Sequence, residues 1–181
     1  MHKELSNQMV AASSTPIGSR EFWRHLWALP VPNVENNFLW RACQNILPTK
    51  DILHKRRIFL DLLCPVYGLE VETRFHILWQ CPSTMDAWTM GVAKFQKCSF
   101  AGHDFMQLLE YFFDKCDLEK LKIFAGMSRH LWLRQNDLIH GNHFTHPKML
   151  AVQTTQAIME FSLAHAHDES HIPTQVPQAT H

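Results

Sequence analysis

Two cysteines and a histidine near the middle of the chain have the residue types and spacing that suit a bound metal ion. Cys64 opens a Cys-Pro turn, and His76 and Cys81 follow at a spacing that fits a short helix beginning and ending at the metal. Zinc prefers sulfur and nitrogen ligands in a tetrahedron, and structural zinc sites commonly begin with a Cys-x-x-Cys turn. Tyr67 stands where the second cysteine of that turn would be. The pattern predicts three zinc ligands, Cys64, His76 and Cys81, with Tyr67 as a degenerate fourth position.

The fourth ligand has several candidates in the sequence. Tyr67, a water molecule, or His54 or Cys43 brought in by the fold could fill it. A phenol titrates near ~10, so Tyr67 must lose a proton at a cost before it binds metal well. The competing interpretation is a small helical domain without metal, held together by its tryptophans. A three-ligand zinc with a bound water would resemble a hydrolase site, but no general base is placed to use it.

A basic segment suits contact with phosphate groups. Together with one arginine of the preceding predicted helix, its candidate nucleic-acid-binding residues are Lys50, Lys55, Arg56, Arg57 and Arg41. On a helix, Lys50, His54 and Arg57 would share one face. Contacts from lysine and arginine to phosphate oxygens dominate non-specific affinity for nucleic acid. The segment predicts weak, salt-sensitive binding of RNA or DNA, and an ordinary solvated helix face is the alternative.

Composition limits the class of protein. The chain has 181 residues, enough for one domain or two small ones, and its 17 basic and 17 acidic residues give no net charge to attract nucleic acid. Five irregularly spaced cysteines without a signal-peptide pattern favour a reducing nuclear or cytoplasmic compartment. No apolar run approaches the ~20 residues that span a bilayer, so we expect no membrane association. The pattern gives no indication of the oligomeric state.

Helical periodicity dominates the chain and predicts a mainly α fold. We expect a small helical domain with a degenerate zinc knuckle, followed by a helical segment. The predicted parts are a disordered segment over 1–18, a zinc-binding domain over 19–98, a linker-type helical segment over 103–169 and a flexible tail over 170–181. Predicted helices cover residues 19–27, 33–46, 49–57, 72–80, a stretch from Pro82 onward, 105–113, 117–139 and 147–167.

The sequence lacks the usual motifs of catalysis. It has no glycine-rich phosphate loop, no nucleophile elbow and no carboxylate cluster suited to two-metal chemistry. A non-enzymatic protein is therefore expected.

A series of short motifs resembles a known family when it is taken in order. The motifs are Phe22-Trp23, Leu26-Trp27, Val31-Pro32, Phe38-Leu39-Trp40-Arg41, Leu47-Pro48-Thr49, Arg56-Arg57, Cys64-Pro65, Glu72-Thr73, His76, Cys81 and Trp88, with Leu131-Trp132 and Asn136-Asp137 farther on. This order resembles the zinc-binding domain that follows the polymerase domain in plant LINE-type (non-LTR) retrotransposon reverse transcriptases. The last two motifs resemble the helix that links this domain to a ribonuclease H domain.

The sequence departs from the family pattern at several positions. Tyr67 replaces a cysteine, Gln135 replaces an arginine, and the Tyr-x-Asp-Asp motif of a polymerase is missing. The resemblance therefore implies a fragment or decayed copy of a retrotransposon polyprotein. It implies a non-catalytic accessory domain that binds zinc and, weakly, nucleic acid. The alternative is a metal-free protein-interaction domain or remnant with no nucleic-acid activity.

Overall fold

Helices form almost all of the regular structure in this protein. The computed structural model describes residues 18–58, 60–91, 95, 100–141 and 143–169. The helices are α1 (Arg20–Trp27), α2 (Asn33–Cys43), α3 (Lys50–Lys55), α4 (Pro82–Gly91), α5 (Phe105–Lys115), α6 (Leu118–Gly141) and α7 (Pro147–Glu169), with a π-helical segment at His76–Gln80 before α4. In the described ranges, extended pairing is limited to one antiparallel bridge between Leu63 and Val71. The predicted mainly α fold is confirmed.

The predicted N-terminal segment and C-terminal tail fall almost entirely on residues 1–17 and 170–181, which lie outside the described residues. Among the helices that the structure describes, none combines the length and apolar character needed to cross a membrane.

Three of the predicted helices extend at least two residues beyond the observed ones. α2 ends at Cys43 and α3 at Lys55, because Asn45 (φ 56°) and Arg57 (φ 59°) adopt left-handed backbone conformations that cannot continue a right-handed helix. The helix predicted over 72–80 starts later, since Glu72 is part of the extended pairing: its N–H donates to the Leu62 carbonyl at 2.8 Å.

The hydrophobic core is an aromatic cluster to which most helices contribute. Trp88 of α4 is fully buried and stacks on Phe124 of α6 with ring centroids 5.2 Å apart. Phe112 of α5 meets Phe124 edge-on at 4.6 Å, and Phe95 packs on Trp88 at 5.3 Å. Such ring pairs add to the free energy of area burial. The division at 98–103 stays a prediction, but the helices on both sides of it contribute to this one core.

The tryptophans differ in burial. Trp79, Trp88 and Trp132 are buried, Trp23 is partly buried against the core, and Trp27 and Trp40 are 48% and 36% exposed. The last two therefore do not contribute to the core.

Arg74 connects the approach to the π-helical segment with two helix ends. Its guanidinium donates to the carbonyls of Ala42 and Cys43 at 2.7 and 3.0 Å and pairs with Asp104, the N-cap of α5. The last carbonyls of a helix have no partner within the helix, so this contact satisfies two of them at the end of α2. Arg74 therefore fixes the position of the residues that lead into His76.

Candidate metal centre

The turn that carries Cys64 is held by a short stretch of paired backbone. The Cys64 N–H donates to the Glu70 carbonyl at 2.8 Å, and the Gly68 N–H closes the turn onto the Cys64 carbonyl at 2.7 Å. Gly68 has φ 75°, a left-handed conformation that glycine adopts without steric cost. The turn directs backbone N–H groups of Val66 and Tyr67 at the Cys64 sulfur. This turn, residues 64–68, is the predicted knuckle turn, and it carries one cysteine, Cys64.

The π-helical segment brings His76, at its start, close to Cys81, which directly follows its end. The Cys81 N–H donates to the His76 carbonyl at 2.7 Å, a bond that spans five residues instead of the four of an α-helix. Carbonyls that the wider turn leaves open are satisfied by α4: the Thr84 hydroxyl donates to Ile77 and the Trp88 indole N–H to Leu78. The core tryptophan therefore also supports the segment between the two ligand candidates.

Cys64, His76 and Cys81 meet in the interior. One candidate ligand atom from each residue lies within 4.8 Å of the other two, and all three side chains are buried. Thiolate sulfur and imidazole nitrogen bind zinc at ~2.0–2.3 Å, so small rearrangements would let the three atoms share one ion. The structure brings together the three residues that the spacing selected.

The imidazole of His76 is oriented by a carboxylate. Its Nδ1 lies 2.9 Å from Glu70 Oε2, while its Nε2 is a buried atom without a hydrogen-bond partner. Metal-binding histidines typically give their second nitrogen to a carboxylate or carbonyl, which fixes the tautomer and leaves the other lone pair for the ion. A buried imidazole nitrogen without a partner is costly unless a ligand completes it. The donor set therefore fits zinc.

The two thiols are electrostatically unlike. The neighbouring Cys81 thiol, then the nearby His76 ring and the backbone N–H groups of Tyr67 and Val66, hold the pKa of Cys64 far below its ordinary value despite burial. The pKa of Cys81 is raised, first by its hydrogen bond to Cys64 and then by burial. Because thiolates are the form that binds zinc, a bound zinc ion would have to displace the proton that Cys81 favours. Cys81 also precedes the first turn of α4, where the helix dipole favours negative charge.

His76 responds to the same sulfur. Burial disfavours its charged form, but the nearby Cys64 sulfur, with help from Glu70, raises its pKa above the ordinary value. A metal ion would therefore compete with a proton for this ring.

Tyr67 lies beside the cluster, and the other candidates for a fourth ligand do not join it. Its ring centroid is 6.5 Å from that of His76, and its side chain is 39% exposed. Among the described residues, the group of candidate ligands does not include His54 or Cys43. Burial raises the pKa of Cys43 to about 12, so this thiol stays protonated.

The structure separates the predicted nucleic-acid-binding residues. Lys50 is buried, and its amine donates to Asp61 Oδ2 and to the Leu63 carbonyl, both at 2.7 Å. This burial argues against the prediction that Lys50 contacts phosphate, because its amine is already paired with Asp61 and the Leu63 carbonyl. The remaining four predicted residues are exposed: Arg41, Lys55, Arg56 and Arg57.

Three residues at or next to the site were not selected from the sequence. Glu70 orients His76, Gln135 of α6 approaches Cys64, and Arg134 beside it contacts the start of α4. Arg134 donates to Ser83 O at 3.3 Å, and the Gln135 amide lies 3.9 Å from the Cys64 sulfur. Glu70 belongs to none of the motifs, so the sequence did not indicate it. Gln135 stands where the sequence departs from the family pattern, and that departure could have indicated it.

Comparison with known proteins agrees with this geometry. Residues 4–88 match a family described as zinc-binding in reverse transcriptase. The resemblance drawn from the motifs is confirmed, since this part of the chain is similar to the zinc-binding region of reverse transcriptases.

A relative extends the same picture. A 93-residue stretch is 27% identical to an Arabidopsis thaliana protein named "Putative ribonuclease H protein", covering 51% of this chain and 14% of that protein. The chain thus spans only about a seventh of the relative. No solved structure matches. The two matches fit a retrotransposon-derived region.

Proposed function

We propose that this protein is a non-catalytic accessory domain that binds one zinc ion through Cys64, His76 and Cys81. The observation that carries the proposal is the buried, unpartnered Nε2 of His76 beside two buried sulfur atoms, with candidate ligand atoms of all three residues within 4.8 Å. Zinc in such a site supplies a structural crosslink, because metal affinity adds directly to the free energy of folding. Tyr67 or a water molecule would complete the coordination.

The proposed role of the metal is to hold the knuckle turn against the start of α4. Cys64 belongs to the turn, while His76 and Cys81 bound the π-helical segment that precedes α4. A crosslink between these elements would fix the surface next to the basic segment. The family match supports the proposed accessory role in a retrotransposon polyprotein, because it covers a zinc-binding region of a reverse transcriptase.

The nucleic-acid part of the proposal rests on Arg41, Lys55, Arg56 and Arg57. They are exposed, but Lys55 has an acidic neighbour, since its amine lies 3.5 Å from Asp51. With few uncompensated cations and no net charge on the chain, binding to RNA or DNA should be weak and should fall steeply with salt.

Metal content of the purified protein tests the proposal. We expect about one zinc per chain by elemental analysis after dialysis against a weak chelator. Cys64→Ser should lose the metal, because one of two thiolates is removed, whereas Cys116→Ser, which changes a thiol outside the cluster, should keep it. Metal-free protein with full helicity would contradict the proposal and support the alternative of a metal-free interaction domain.

A further inference from the structure

The side chain of Gln135, on α6, reaches the candidate metal centre from a distant part of the sequence. Its amide nitrogen lies 3.9 Å from the Cys64 sulfur and donates to Glu72 Oε2 at 2.8 Å. The side chain is buried, so these contacts are shielded from water. A side-chain amide has two N–H donors, which is enough for one bond to each neighbour.

Glu72 in turn is fixed from two sides. Its second oxygen, Oε1, accepts the backbone N–H of Lys50 at the start of α3 at 3.1 Å. Burial raises the pKa of Glu72, against the hydrogen bonds of Gln135 and Lys50 that favour its charged form. A buried carboxylate keeps such partners because an unpaired one is costly. The carboxylate thus anchors the Gln135 amide at a defined position next to the sulfur.

We propose that Gln135 is a positioning residue for the metal centre, which donates an N–H to the Cys64 thiolate and links zinc binding to the docking of α6. This inference rests on the proposed zinc site. The knuckle turn itself already directs the backbone N–H groups of Val66 and Tyr67 at the same sulfur. Gln135 adds a donor from outside the turn, so the thiolate is fully supported only when α6 is packed in place.

Zinc binding and the docking of α6 should strengthen each other. Donors around a buried thiolate reduce the cost of keeping its charge away from water. If α6 strengthens metal binding in this way, bound metal must strengthen the docking of α6 by the same free energy. Supporting residues around a metal site typically change affinity by ~10–100-fold.

The first experiment removes the donors of Gln135 and keeps the length of the side chain. Gln135→Met should weaken zinc binding at least ~10-fold in a competition titration with a chromophoric chelator. The matched control is Asn36→Leu, which removes a buried amide on α2 that donates to the Leu29 carbonyl. Both variants should lose stability in chelator, but the control should keep its zinc affinity within about threefold. Equal affinity in Gln135→Met and the parent would overturn the proposal.

A second experiment uses the unmodified protein and so does not depend on the variant folding. With ¹¹³Cd in place of zinc, a metal–proton correlation through the N–H···S bond should connect the cadmium resonance to the side-chain amide of Gln135. Cadmium that binds and shows correlations only to the backbone N–H groups of Val66 and Tyr67 would reject the role of Gln135 and leave the proposed function intact. Failure to bind either metal would reject the proposed function itself.

Discussion

The candidate metal centre and the basic segment are close in sequence, but their side chains are placed in opposite ways. In the cluster, each candidate ligand has a buried side chain with neighbours that fix it, such as Glu70 on His76 and Gln135 near Cys64. In the basic segment, Lys50 turns inward to Asp61, and Arg56 and Arg57 stay exposed. The difference teaches that buried donors define a specific site, whereas exposed charges define at most a surface.

The largest effect should come from Trp88, which supports the candidate ligand cluster through the π-helical segment. Trp88→Ala should cost about 3–5 kcal/mol of unfolding free energy in urea, because a fully buried ring is lost. Zinc binding should fall with it, since Trp88 donates to the Leu78 carbonyl of the π-helical segment. Trp88→Phe keeps the stacking on Phe124 and should cost much less. Retained zinc affinity in a destabilised Trp88→Ala protein would show that the cluster does not depend on the core.

Arg74 should give the next largest effect. Arg74→Met removes two hydrogen bonds to the end of α2 and the pair with Asp104, so we expect a loss of about 2–3 kcal/mol in urea unfolding. The control is Arg24→Met, whose pair with Glu21 is exposed and should change stability by less than ~0.5 kcal/mol. Similar losses in both variants would mean that burial of the arginine contacts is not what matters.

Tyr67→Cys should strengthen metal binding by supplying a fourth ligand, which would be the third thiolate of the site. A thiolate binds zinc far better than a neutral phenol at neutral pH, and each tenfold gain in affinity adds ~1.4 kcal/mol of stability once zinc exceeds its dissociation constant. Melting temperatures with zinc and with chelator should differ more in Tyr67→Cys than in the parent or in Tyr67→Phe. An identical zinc response in the three proteins would show that position 67 does not face the metal.

The basic segment should give the smallest effect on stability. Reversing charge with Arg56→Glu and Arg57→Glu together should change the unfolding free energy by no more than ~0.5 kcal/mol, while weak RNA or DNA binding and its salt dependence are lost. Arg20→Glu with Arg24→Glu, an equal charge change on exposed residues of α1, should preserve more of the binding.

Lys50→Met reverses this pattern. It should destabilise the protein, because the Leu63 carbonyl and Asp61 lose their partner, and it should leave nucleic-acid binding unchanged. If the Arg56→Glu/Arg57→Glu and Arg20→Glu/Arg24→Glu proteins lose binding equally, the nucleic acid does not prefer the basic segment over other exposed surfaces of the protein.

The sequence predicted the fold better than it predicted the surroundings of the site. Apolar periodicity was enough to predict α5 and α6, and the ligand spacing selected Cys64, His76 and Cys81. Helix ends at Asn45 and Arg57 were missed, since neither residue type requires a left-handed backbone. The inward turn of Lys50 depends on Asp61 and Leu63, which lie close only after the chain folds. Contacts of this kind between distant segments leave no local pattern.

The distances along the chain between the parts of the metal centre set an order of assembly. Cys64, His76 and Cys81 all belong to one short stretch, whereas the contacts of Gln135 with Glu72 and Cys64 span 63 and 71 residues. During synthesis at ~5–20 residues per second, the three ligands leave the ribosome roughly 3–10 s before Gln135. A nascent chain could therefore bind the proposed zinc ion before Gln135 is in place. The docking of α6 would then add the contact between Gln135 and Cys64.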